Sequence, residues 1–255
     1  MVLKLVLFDL WGTLFQHEGP GEDHGRAALR VEMAHDALVE SGHVYAHEDI
    51  AGAFKQAAEA LAAVHADSRD ISAEARTVLH IEHLDPALAA KLDDAAWARL
   101  HLAILAPALH ARPDPMSGGI EVLREVKALG FPVGLVSNAG ATPGFVLREI
   151  MDGYGLLEHF DVTVFSDEVE LSKPSPEIYE RALAPFGVAP GEAVFVGDQP
   201  VLDVLGPQGA GLWTVQLGEL TEPGIVPHAR IARLDELVPA LRTLGLIVEG
   251  ASTAV

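Results

Sequence analysis

The sequence predicts an α/β fold: a parallel sheet interrupted, after its first strand, by a long helical insertion. Three observations predict it. Short apolar or β-branched runs recur along the chain, segments with helical spacing separate the later ones, and more than a third of the chain lies between the first run and the second. The runs are Leu3 to Phe8, Val133 to Val136, Val162 to Phe165, Ala193 to Val196 and Leu212 to Leu217. Near-continuous apolar character over so few residues is the mark of parallel strands covered on both faces.

The intervening segments read as helices. Pro143 to Met151, Pro176 to Phe186 and roughly Leu202 to Gly206 carry apolar residues at helical spacing. Thr142-Pro143 and Ser175-Pro176 each place a capping side chain before a proline at the first helical position. Gly153 and Gly187 stand where those helices should stop, and Gly209 and Gly211 follow the third. A simple crossover between parallel strands needs only a dozen or so residues, so the interval after Phe8 must hold something else. Within it, Ile50, Phe54, Ala57, Leu61 and Val64 follow one amphipathic helix, Leu29, Met33 and Ala37 a second, and Trp97, Leu100 and Ile104 a third. The predicted organisation is a core of residues 1–16 and 113–249, a helical cap of residues 17–112, and a frayed tail from 250 to 255.

Composition narrows the function. The chain has 255 residues, 17 Lys and Arg against 37 Asp and Glu, a net charge of −20, 49% hydrophobic residues and no Cys. Such a chain can bury a large core. A charge of that sign opposes nucleic acid and anionic membrane surfaces, whose binding depends on Lys and Arg. No apolar stretch approaches the roughly 18 to 20 residues that span a bilayer, and the first residues carry no leader pattern. Absence of Cys excludes disulfides, Cys-ligated metals and a cysteine nucleophile. The expectation is a soluble cytoplasmic protein that binds neither nucleic acid nor membrane; no pattern specifies its oligomeric state.

In an open parallel sheet, ligands collect beyond the carboxyl ends of the strands. Every strong polar candidate falls there: Asp9 with Gly12-Thr13 after the first strand, Ser137-Asn138 after the second, Lys173-Pro174 ahead of the fourth, and Gly197-Asp198 with Asp203 after it. In this order and spacing the four motifs resemble those of the haloacid dehalogenase superfamily of hydrolases. The resemblance covers the core end to end, while the insertion is similar only in position and helical character. It implies a Rossmann-like core with an inserted cap, and a small phosphorylated molecule as substrate.

The resemblance also implies roles. Asp9 would be the nucleophile and Thr13 would orient it. Ser137, backbone amides near Asn138, and Lys173 would receive the transferring group. Asp9, the backbone carbonyl of Trp11 and Asp198 would hold Mg²⁺, with Asp203 adjusting the shell through water. The residue types suit this chemistry: a carboxylate can form an acyl-phosphate, and a hard cation held by oxygens offsets its repulsion with a phosphate. One position departs from the pattern. Most phosphatases of the family carry a second Asp two residues after the nucleophile, and here that residue is Trp11. An indole N–H donates a hydrogen bond but cannot shuttle a proton. Family dehalogenases place an aromatic residue there yet dispense with the metal, whereas this chain keeps Asp198 and Asp203.

The favoured expectation is a Mg²⁺-dependent phosphohydrolase with an altered proton-transfer step. Two alternatives stand beside it: a metal-independent 2-haloacid dehalogenase, with Arg26 or Arg30 as a clamp for the substrate carboxylate, and a catalytically impaired phosphoryl-binding protein. Trp11 reads equally well as packing between core and cap. His80 and His83 read as an exposed pair on a helix, and Asp67, Asp70, Asp93 and Asp94 as solvated helix ends or caps. His17, Glu18, Asp23 and His24 read as solvated linker or as the rim of the cap.

Overall fold

The computed structural model describes residues 3–16 and 25–247. His17, Glu18, Asp23, His24 and the tail from 250 lie outside them. Strand β1 is Leu5–Phe8; after it come α1 (Arg26–Glu40), α2 (His47–Ala66), α3 (Ala73–Leu84) and α4 (Asp94–Leu105). The chain returns through α5 (Gly119–Ala128), β2 (Val133–Ser137), α6 (Gly144–Gly153), β3 (Val162–Phe165), a single turn α7 (Ser166–Val169) and α8 (Pro176–Leu183). It closes with β4 (Ala193–Gly197), α9 (Gly206–Gly209), β5 (Trp213–Leu217), β6 (Ala229–Ile231) and α10 (Leu237–Thr243).

The six strands form one sheet in the order β3-β2-β1-β4-β5-β6, and every pairing is parallel. The fold is Rossmann-like. All five expected strands form; the sixth, a three-residue edge strand, lacks a run long enough to be read from sequence. Strand β1 alternates faces: Val6 and Phe8 join the buried cluster that includes α5, α6 and α10, while Leu5 and Leu7 join the cluster that includes α8. The strand order reverses beside β1, because β2 and β3 lie on one side of it and β4 to β6 on the other. That reversal opens a crevice beyond Phe8 and Val196, which stand opposite one another in register.

Helices α1 to α4 bury their own apolar faces together. Ile50 and Phe54 of α2, Ala37 of α1 and Leu100 and Ile104 of α4 lie in one cluster, as their spacing predicts. Asp93 caps α4, accepting the Ala96 N–H at 2.7 Å, and Ser72 caps α3 by accepting that of Ala75. Two other expected caps do not form. Pro143 rather than Thr142 is the N-cap of α6, and the Ser175 hydroxyl donates to the neighbouring Glu177 carboxylate instead of capping α8. Among the described residues, no helix is long and apolar enough to cross a membrane.

Candidate active site

The chain turns sharply where β1 ends. The Asp9 N–H still bonds to the Val196 carbonyl at 2.9 Å, so the ladder holds the carboxylate at the sheet edge. The Leu10 carbonyl then collects the N–H groups of Thr13, Leu14 and Phe15. Gly12 makes this turn possible: its φ is +77°, and a Cβ there would lie 2.6 Å from the Asp198 carboxylate carbon. Strands β1 and β4 thus deliver two acidic side chains across a position where only glycine fits.

Lys173 lies between Asp9 and Asp203. Its ammonium, 3% exposed, donates to Asp9 Oδ1 at 2.6 Å and to Asp203 Oδ1 at 2.7 Å. Asn138, one residue beyond β2, fixes the lysine backbone from both sides: its Oδ1 accepts the Lys173 N–H at 2.8 Å and its Nδ2 donates to the Lys173 carbonyl at 3.2 Å. Asp203 is fully buried on a π-helical turn, Pro200–Leu205, and also accepts the Gln199 N–H at 2.8 Å. Wide turns of this kind recur at functional sites. Asp198 accepts from the Gln199 side-chain amide at 2.6 Å.

Asp9, Asp198 and Asp203 each offer one oxygen, all within 4.8 Å of one another. Burial, reinforced by Asp203 and Asp198 against the opposing pull of Lys173, pushes the Asp9 carboxyl up to about 8. Burial works against the Lys173 charge, yet Asp203 and Asp9 outweigh it and hold the ammonium above its ordinary range. Three acidic groups around a single buried ammonium make a site deficient in positive charge. An oxygen-only donor set with that deficit fits a hard divalent cation.

The structure gathers Asp9, Asn138, Lys173, Asp198 and Asp203 into one locus. Ser137 lies beside them, fully buried, its hydroxyl donating to the Asn138 carbonyl at 3.3 Å. Thr13 differs from expectation: its buried hydroxyl makes no hydrogen bond to Asp9 or to any other described residue. Asp203, expected in the outer shell of a cation, also touches Lys173 directly. Trp11 is half-buried, its ring 6.0 Å from that of Phe15, and it lines the cleft.

That cleft holds about 470 Å³ and brings Arg26, Arg30 and Gln199 to the same space as Asp9, Trp11 and Lys173. Gln199 escaped the sequence reading, although it follows Asp198 directly. Arg30 donates to the Ile104 and Ala141 carbonyls, and Arg26 to that of Ala111. Two other expectations are corrected. His80 is not an exposed partner of His83; its ring packs edge-on to Phe54, its Nδ1 lies 2.7 Å from the Arg76 carbonyl, and burial pushes its pKa down to about 4. Asp70 is not solvated but buried, in an ion pair with Arg76.

Residues 3–211 match the family model of the haloacid dehalogenase-like hydrolases. The chain belongs to that family. The hydrolase is 31% identical over 251 residues to a phosphoserine phosphatase of Thermus thermophilus, covering 92% of this chain and 98% of the relative. It is 28% identical to a glyceraldehyde 3-phosphate phosphatase of Methanopyrus kandleri, covering 95% and 99%. Among solved structures, a 2-haloacid dehalogenase from Pseudomonas syringae superposes with a TM-score of 0.67 at 22% identity, covering 95% of this hydrolase and 99% of that chain. That last likeness speaks for the fold alone.

Proposed function

We propose that the protein is a Mg²⁺-dependent phosphohydrolase acting on a small phosphorylated metabolite through an aspartyl-phosphate on Asp9. The observation that carries this reading is the buried cluster of Asp9, Asp198 and Asp203 around Lys173. Asp9, Asp198, Asp203 and the Trp11 carbonyl would hold Mg²⁺. When bound, it supplies the positive charge that lets a carboxylate and a phosphoryl group approach.

The remaining work falls to the side chains. Asp9 attacks phosphorus, the bond from phosphorus to the leaving oxygen breaks, and the aspartyl-phosphate forms. Lys173 and the Ser137 hydroxyl offset charge gathering on the phosphoryl oxygens. Water then releases inorganic phosphate and restores Asp9. Trp11 cannot protonate the leaving oxygen or activate that water; a missing acid–base group costs about 10² to 10⁴ in rate. Acyl and aryl phosphates, whose leaving groups need no proton, are therefore the best substrates for the first step.

The test compares native protein, Asp9→Asn and Trp11→Asp on p-nitrophenyl phosphate and acetyl phosphate with Mg²⁺. Asp9→Asn abolishes turnover and Trp11→Asp raises it; undiminished activity in Asp9→Asn overturns the assignment. A second reading, a metal-independent 2-haloacid dehalogenase, is favoured by the aromatic Trp11 and by Arg26 and Arg30 along the cleft. It predicts chloride release from 2-chloropropionate without added cation.

A further inference from the structure

The seam between the helical insertion and the sheet carries a buried polar network that the proposed chemistry leaves unused. Asp70 and Arg76, 3% and 1% exposed, both come from the connection between α2 and α3 and its continuation into α3. The Arg76 guanidinium donates to both Asp70 oxygens at 2.6 and 2.7 Å, to the Ile71 carbonyl at 3.1 Å, and across the seam to the Gly140 carbonyl. From the core side, the fully buried Ser166 donates its hydroxyl to Asp70 Oδ2 at 2.5 Å. The same hydroxyl oxygen accepts the Ala139 N–H at 2.8 Å.

A parallel tie runs through the backbone. The Asp70 N–H bonds to the Glu170 carbonyl at 3.3 Å and the Ser172 N–H to the Ser68 carbonyl at 3.0 Å, with Arg69 facing Leu171 as an antiparallel bridge. The insertion therefore grips two core loops, and each loop carries a site residue: Asn138 precedes Ala139, and Lys173 follows Ser172. Asn138 and Lys173 are in turn bonded to each other.

Stability is a poor explanation for such a network, since a buried ion pair gains little over apolar residues of the same volume. Its geometry suggests placement instead. A serine hydroxyl rotates to suit its partners. With its proton committed to the Asp70 carboxylate, the Ser166 oxygen presents lone pairs to Ala139, and each bond polarises the other. Burial pushes the Asp70 carboxyl up, but His65, Arg76 and Ser166 outweigh it and keep the group ionised as an acceptor.

We infer that Asp70, Arg76 and Ser166 are positioning residues, through which contact with the insertion sets the Asn138–Gly140 loop against Lys173. The inference rests on the proposed phosphohydrolase reading for its kinetic arm only. Ser166→Ala removes the relay with little loss of volume, and Asp70→Asn weakens it from the other side. Turnover of p-nitrophenyl phosphate with Mg²⁺ gives kcat and KM, and hydrogen exchange follows the backbone amides of residues 138–141. The expected result is a kcat about tenfold or more below native, KM within about twofold, and faster exchange at Ala139 in both variants. Because both act through one hydroxyl, the double variant should be no slower than Ser166→Ala alone. Unchanged exchange at Ala139, or losses in kcat that multiply in the double variant, overturns the proposal. A native protein with no phosphatase activity removes the proposed function while the exchange measurement still decides the role of the loop.

Discussion

Gly12 and Asp198 come from different strand ends, yet a single added methyl at residue 12 would lie 2.6 Å from the Asp198 carboxylate carbon. The turn after β1 and the acidic end of β4 are in direct van der Waals register. Gly12→Ala forces a side chain into that space at φ +77°, at a cost of about 1–3 kcal/mol. The expected outcome is a lower Tm and, since the displaced group is Asp198, a fall in kcat of about a hundredfold. Thermal denaturation and phosphatase assays measure the two effects separately.

Lys173 is the ammonium shared by Asp9 and Asp203. Lys173→Met leaves both carboxylates buried without their cation, which should destabilise the fold by about 3–5 kcal/mol. Urea denaturation checks this. Adding Asp203→Asn removes one of the stranded charges, so the double variant should recover part of the lost stability although not the activity.

The raised Asp9 pKa gives cation binding a defined pH dependence. Below about 8 the cation-free cluster holds a proton on Asp9, and a metal ligand must shed it. Mg²⁺ affinity should therefore rise by about tenfold per pH unit up to that value and level off above it. Calorimetry in buffers of different ionisation enthalpy should show up to one proton released per ion at neutral pH. Chelation should lower Tm by more at pH 8 than at pH 6.

Asp167 supplies a second pH effect, again from burial but away from the acidic cluster. Burial pushes its carboxyl up to about 6, against the pull of Arg76 and of the Gly144 N–H that it accepts. The unfolded group ionises from about 3.8, so stability from this group is full below that pH and is lost as pH rises through about 6. Asp167→Asn keeps an acceptor for Gly144 without the buried charge. Its Tm should match native near pH 4 and exceed it above pH 6.

How much of this was legible depended on sequence distance. The five longer strands could be read because parallel strands buried on both faces compress into apolar runs. The three-residue β6 offers no such run, and α5 passed unread between Gly119 and Ala128. Asp9, Ser137-Asn138, Lys173 and Gly197-Asp198 were visible because each stands at a strand end or ahead of a helix. Asp70 reads as a solvated helix end, and Arg76 carries no signal at all, for the opposite reason. Their partners Ser166 and Gly140 are 96 and 64 positions away, and a local pattern of Asp after a helix says only that a helix has ended. Likewise the π-helical path of Pro200–Leu205, on which Asp203 reaches Lys173, is not encoded in a helical period of apolar residues.

Strands β1 and β2 pair directly, Val6 opposite Val133, although all of α1 to α4 intervenes between them. The strand pairing that places Asp9 at the sheet edge thus closes across that whole excursion. An exchanged insertion would have to reproduce the grip of Asp70 and Arg76 on Ser166 and Gly140, so insertion and sheet are separable in strand pairing but not in side-chain contact.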